Sequence, residues 1–214
     1  MRRSLVGLVA VAAVGCGKAK DTSDAVGAAV QAAANAPKVE TAMAAAEAMR
    51  NERIARGDTV AIPYAELKTY LPESIDGYTP EGEAEGSQQS MPGFSLSQAE
   101  RTWEKTGVTE GDVPSVHVTI ADFGGTEQAY GMIAAPLFMG FTQEDDHHRA
   151  GATPTSVADA AAWEEYDKDT RDAKITLVAR YRYLISVEAR NQTEDQSAMV
   201  KRVAEEVARK FDGK

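Results

Sequence analysis

An α+β domain, with a mainly antiparallel sheet of about six strands and helices packed on one face, is the fold this sequence predicts. Three observations point to it. The stretch SVHVTIADF, residues 115–123, alternates apolar and polar residues at the period of a half-buried strand. The C-terminal stretch places Met199, Val203, Val207 and Phe211 four residues apart, the spacing of a helix face. Between and around them the elements follow the order helix, three strands, helix, three strands, helix.

The N-terminus is read separately. Arg2 and Arg3 precede an uncharged run, Leu5 to Gly15, that is too short for a bilayer span of roughly 20 residues. A charged start, a short apolar middle and a small-residue end are the marks of a secretory signal. The end, Ala13-Val14-Gly15-Cys16, carries the only cysteine of the 214 residues. It resembles the lipobox of bacterial lipoproteins, with Ala13 where leucine is most frequent in that family. The resemblance implies cleavage before Cys16, diacylglyceryl attachment at its thiol and acylation of the new amino group. Two or three acyl chains, at about 0.8 kcal/mol per buried methylene, would hold the protein on a membrane. The resemblance also implies a bacterial cell-envelope location, facing the periplasm or the exterior. Gly17, in place of the aspartate that marks inner-membrane retention, favours the outer membrane of a cell that has one. Residues 1–15 are thus expected to be a signal peptide.

Residues 16–57 read as the lipid anchor and an Ala-rich, partly helical tether. Alanine loses no side-chain entropy in a helix. Pro37 should divide the run into a helix over about 23–35 and a stronger one over about 38–56, with Gly57 as C-cap. Its thin stripe of Val39, Met43 and Ala46 suits a tether or a small-residue pairing stalk.

The folded domain is expected over 58–214. A short helix should carry Tyr64, Leu67, Tyr70 and Leu71 on one side. Residues 76–94, small, polar and rich in glycine, suit an exposed edge strand. In residues 94–105 the phase moves from Phe94 and Leu96 to Ala99, Arg101 and Trp103, which predicts a bulge near Ser97. After the 115–123 strand, residues 124–141 read as a helix capped by Thr126. TQEDDHHRAGATPT, residues 142–155, reads as a loop. Strands follow around Trp163 and Tyr166, through Ile175, Leu177 and Ala179, and from Tyr181 to Ala189, with a turn near Arg180. The last helix, about 194–211, should open on a capping box of Thr193 and Gln196. Trp103-Glu104-Lys105 and Tyr166-Asp167-Lys168 occupy matching places, which suits two diverged βββα halves. In element order the domain resembles small domains of the PsbP-like kind, a likeness that implies no active site.

Composition narrows the function. The net charge is −10, and loss of Arg2 and Arg3 with the signal peptide would deepen it, so bulk attraction to nucleic acid or anionic lipid is excluded. With Cys16 lipidated, no thiol is left for a disulfide or for catalysis. Gly124-Gly125 lacks the lysine and spacing of a phosphate loop, and no Gly-x-Ser-x-Gly elbow occurs. No cofactor is implied. The one metal candidate is EDDHH, Glu144–His148, through His147, His148 and Asp145, which are ligand types for zinc or copper. The competing reading of those residues is a solvated acidic loop. His117 reads as a cross-strand surface residue, and Trp103, Trp163, Tyr181 and Tyr183 as sheet-packing aromatics. The expected function is a non-catalytic binding or structural domain on a lipid anchor. The alternatives are a carrier or chaperone enclosing a lipid or peptide in an apolar cavity, and a metal-binding protein. The expected partners are the membrane, through Cys16, and an envelope protein or a small apolar ligand.

Overall fold

The computed structural model describes residues 40–41, 43–125, 142–158 and 160–212. Within these, helix α1 includes residues 43–55, and a short helix α2 (Tyr64–Leu67) runs on into a 3-10 turn (Lys68–Tyr70). Then come β1 (Tyr78–Met91), β2 (Phe94–Lys105) and β3 (Ser115–Asp122). After them lie β4 (Thr142–Glu144), β5 (His148–Thr153), β6 (Ala160–Asp167), β7 (Ala173–Ala179), β8 (Tyr183–Arg190) and helix α3 (Ser197–Arg209). The fold is α+β, as expected, but the described residues hold eight strands rather than about six. They form one antiparallel sheet in the order β1-β2-β3-β8-β7-β6-β5-β4. A three-strand meander and a five-strand meander thus meet at a central seam between β3 and β8.

The two extra strands come from the segment read as a loop. Thr142–Glu144 pairs with Arg149–Gly151, so residues 142–155 are mostly a hairpin and not a loop. Its signal was hidden because the β4 residues are exposed and β5 carries Gly151 and alanines in place of alternating large apolar residues. The second half therefore has five strands where three were expected.

One face of the sheet builds the core. Val116, Val118 and Ile120 on β3, Ile175 and Leu177 on β7, and Ile185 and Val187 on β8 are all fully buried. Each such side chain contributes on the order of 1.5–3 kcal/mol by leaving water. α3 packs against β7 and β8, and α2 against β1 and β2. Val200, Val203 and Val207 from α3 join the same core as Leu67 and Leu71. Phe211 closes it, stacked on Tyr183 at 4.0 Å between ring centres and tilted against Tyr70 at 4.7 Å. One ring thereby ties the C-terminus, the sheet and the α2 region together.

Local details depart from the sequence reading in three places. β2 has no bulge at Ser97: its pairing with β3 is unbroken, and Ser95, Ser97, Ala99 and Trp103 are the buried residues. Phe94 and Leu96 lie on the opposite face, and the irregularity falls on β1 between Glu81 and Glu85. Tyr181 is not in β8 but in the turn before it, where Arg180 and Tyr181 both take left-handed backbone, φ 51° and 52°. The turn near Arg180 is itself where it was expected, closed by the Arg182 N–H on the Ala179 carbonyl at 3.1 Å. α3 starts at Ser197, and neither Thr193 nor Gln196 caps it. Asp195 accepts the Ser197 N–H at 2.8 Å instead, and Gln196 turns its amide to Glu194.

The tether expectation is sharpened as well. Ala46 and Arg53 on α1 are buried, so this helix lies on the folded domain and not apart from it. The expected helix over 23–35 falls outside the described residues, as do residues 126–141 of the helix expected over 124–141, with its Thr126 cap; Gly124 and Gly125 form a turn.

Replacing Phe211 with alanine should cost about 3–5 kcal/mol, the usual range for a buried aromatic. Urea denaturation checks this, and a loss near zero would show that the stacked ring does not close the core.

Candidate functional site

The EDDHH segment sits at the tip of the β4–β5 hairpin. Asp145 Oδ1 accepts the N–H groups of His147 at 2.9 Å and His148 at 2.7 Å, an Asp-driven turn. These two bonds hold its carboxyl below the usual range. The neighbouring β6–β7 turn repeats the device, with Asp167 Oδ1 accepting from Thr170 and Asp169 at 2.8 Å. The two tips are laced together. Lys168 Nζ donates to the Asp145 carbonyl at 2.6 Å and reaches Glu144 at 3.2 Å, and the His147 ring meets Asp169 at 2.8 Å. Asp145 is thus spent on backbone, His147 turns to the other hairpin, and His148 is half-buried in β5. Among the described residues no three His, Cys, Asp or Glu side chains gather where they could hold a metal ion. The pattern that suggested ligands belongs here to turn chemistry.

The most heavily engaged charges lie elsewhere, at the end of the central seam. Asp122 ends β3 fully buried, and Arg182 sits just before β8. Arg182 Nε and Nη2 grip the two Asp122 oxygens at 2.7 and 3.0 Å. Nη1 donates to both oxygens of Asp58 at 2.9 Å, and Nη2 also donates to the Val60 carbonyl at 3.0 Å. The guanidinium's five donors are therefore all used. Asp122 in turn accepts the N–H of Gly124 at 2.8 Å and of Ile62 at 2.7 Å. Burial alone would lower the Arg182 pKa, but the bonds and charge of Asp122 outweigh it and raise the pKa above its ordinary value.

Residues 58–62 are thereby strapped across the ends of β3 and β8. The Ala61 N–H donates to Ser95 Oγ at 2.9 Å, which explains why β2 buries a serine. Gly124, at φ 61°, leaves no room for a side chain, since a Cβ would stand 2.7 Å from the Thr59 carbonyl. Arg53 and Arg50 bring α1 to the same place, donating to the carbonyls of Arg180 at 3.2 Å and Gly125 at 3.3 Å. Tyr183 lies beside the cluster. Burial, more than the neighbouring carboxylates, pushes its hydroxyl up to about 12.

Two surface grooves are lined wholly by described residues. One, about 240 Å³, runs along β4 and β5 over Arg149, which is paired with Glu164 at 2.9 Å. The other, about 300 Å³, lies beside the β1 irregularity and is lined by Glu81, Glu83, Glu85, Glu100, Thr102 and His117, among others. His117 is the cross-strand residue expected. Its ring nitrogens meet Thr102 and Thr119 hydroxyls, each at 3.1 Å, and Glu100 lies 3.6 Å away. Trp103 and Tyr183 are core residues as expected, whereas Trp163 is only half-buried.

Asp58, Asp122 and Arg182 were missed by sequence reasoning. The available signal was an aspartate closing the apolar run VTIAD and an arginine inside an otherwise aromatic turn, Tyr181-Arg182-Tyr183. Cys16 lies outside the described residues.

No protein-family model matches the chain, and neither does any curated protein. Among solved structures it is similar to the extracellular domain of PknH from Mycobacterium tuberculosis, at 10% identity and a TM-score of 0.42. That likeness covers 71% of this chain and 99% of the other. It is too loose to carry a conclusion about function.

Two outcomes follow from the cluster. Arg182→Ala leaves a buried carboxylate unpaired and should cost about 3–5 kcal/mol in urea denaturation. Arg182→Met combined with Asp122→Asn removes both charges, keeps an oxygen for one of the two backbone N–H groups, and should recover part of that loss. Equal losses in the two variants would show that the ion pair is not the source of the stability. In alkali, native Tyr183 holds its proton more tightly than the unfolded chain does. Its contribution of about 2–3 kcal/mol is therefore complete below pH of about 10 and lost as the pH rises toward about 12. A tyrosinate absorbance titration should show Tyr183 among the tyrosines that ionise late, together with unfolding, with Tyr78 also raised by burial.

Proposed function

We propose that this protein is lipid-anchored in a bacterial envelope through acyl chains on Cys16, and that its α+β domain works by binding another envelope component at its surface. The observation that carries the reading is the fastening of residues 58–62. A buried arginine with every donor engaged, a buried aspartate and two further arginines from α1 secure the chain where it arrives from the N-terminal segment. A domain held only by its N-terminal end needs that end joined firmly to its sheet. Among the described residues no helix is long and apolar enough to cross a membrane. The reading assigns membrane contact to the acyl chains on Cys16. Gly17 favours the outer membrane of a cell that has one.

Binding is preferred to catalysis because of what the buried charges are doing. Arg182 and Asp122 hold backbone and each other, and Glu205 is taken up by the Ser156 hydroxyl and N–H and by Arg209. These groups are already engaged, whereas the open acidic groove beside β1 is offered to solvent.

Cys16→Ala should release the protein from the membrane fraction or stall its processing. A variant that still fractionates with membranes at the mature mass overturns the anchor. Crosslinking of the full chain in its own cells should yield a discrete adduct, and the absence of any adduct overturns the binding reading.

A further inference from the structure

We infer that the outer edge of β1 is a docking site for an extended, basic peptide segment of a partner protein, which would add a strand to the sheet. This rests on the binding reading above and names the partner's chemistry. The two ends of the sheet differ sharply. The β4 edge is three residues long, which leaves little to pair with. The β1 edge is fourteen residues long, with every residue but Tyr78 and Ala84 exposed. Proteins commonly blunt such edges with proline, bulges and charge. Here those devices are confined to one half, in Pro80, the irregularity between Glu81 and Glu85, and the three glutamates. From Gly86 to Met91 the strand has no charge, no proline and no irregularity in its pairing with β2, and Met91 is 61% exposed. A bare run of that length is enough for a typical paired strand.

Charge selects the occupant. Glu85 sits directly across from Glu100, a like-charge cross-strand pair that is unfavourable unless a cation joins it. Among the described residues, neither Glu81, Glu83 nor Glu85 makes an ion pair. Arg101, which also lines the groove beside β1, is turned to the Gly82 carbonyl at 2.7 Å. Glu81 and Glu85 pair in register with Thr102 and Glu100, so they stand on the face that carries the 300 Å³ groove. A strand added beside β1 would present alternate side chains to that face, roughly 5 Å from its neighbours. Lysine or arginine at those positions would meet the unpaired carboxylates. A second copy of this chain would bring the same glutamates and is disfavoured.

The test uses the full chain and two synthetic peptides of about ten residues. One alternates lysine with valine. The other has the same charge but is interrupted by prolines, so it cannot pair as a strand. Fluorescence anisotropy should show saturable binding of the first, with the second about ten-fold weaker. Glu81→Gln, Glu83→Gln and Glu85→Gln together should weaken the first peptide by about ten-fold, with no loss of thermal stability. A photocrosslinker at Gln89 should label the first peptide and one at Asp212 should not. Equal binding of the two peptides, full binding by the triple variant, or absence of binding at low salt each overturns the edge assignment. So does sedimentation showing that Gln89 crosslinks to a second copy of the chain. If the peptide result fails while the discrete adduct in cells persists, only the edge is wrong. If both fail, so does the binding reading.

Discussion

The grip of Arg182 on Asp122 is the constraint on which the rest of the molecule rests. The two residues end or adjoin β3 and β8, the strands at which the two meanders meet, and so they fix that seam from one end. Ions taken out of water lose more than a bare pair regains, and a buried pair persists only when its remaining donors and acceptors are also met. Here they are met by backbone, through the Val60 carbonyl and the N–H groups of Ile62 and Gly124. The charge pair consequently dictates the path of residues 58–62. It also accounts for a turn in which Arg180 and Tyr181 both adopt left-handed backbone, at a cost of about 1–2 kcal/mol each. Placing the guanidinium directly after them offsets that strain.

Electrostatic organisation elsewhere follows from the excess of acid. At the β4–β5 and β6–β7 tips, aspartates are turned inward on their own backbone and bridged by Lys168. On α3, Glu205 anchors the 155–157 loop through Ser156. Interior and tips are thus neutralised locally, while Glu81, Glu83 and Glu85 on β1 are among the described carboxylates that make no ion pair. Repulsion there is relieved by exposure and by the irregular backbone, and at Glu100 by the Gln98 amide and the His117 ring.

How much of this was readable in the sequence depended on what kind of residue carried the information. β3, β7, β8 and α3 announced themselves because Val116, Val118, Ile175, Leu177 and Val203 repeat at the period of their element. β4 and β5 did not, since Thr142, Gln143 and Glu144 form an edge whose side chains all face water and leave no apolar rhythm. β2 was misphased near its start because the inward positions are serines: Ser95 is selected by a hydrogen bond to Ala61, not by hydrophobicity. The metal reading of Asp145, His147 and His148 rested on residue type, whereas their adjacency reflects an aspartate capping its own turn. Asp122 and Arg182 lie 60 positions apart, and neither has a local pattern that reveals the other.

The order of the sheet has a consequence for how the chain comes together. Every strand contact except one joins neighbours in sequence, and the exception, β3 with β8, pairs Ser115 with Arg190. Each meander can form early from local contacts, but the junction must wait for a long loop to close. Until β8 arrives, β3 shows an open edge of alternating Val116, Val118 and Ile120, the kind of surface that recruits the wrong strand. In a polypeptide that crosses a membrane from its N-terminus, that exposure would last as long as the final residues take to follow. The growing chain would then need shelter from its neighbours before it could become itself.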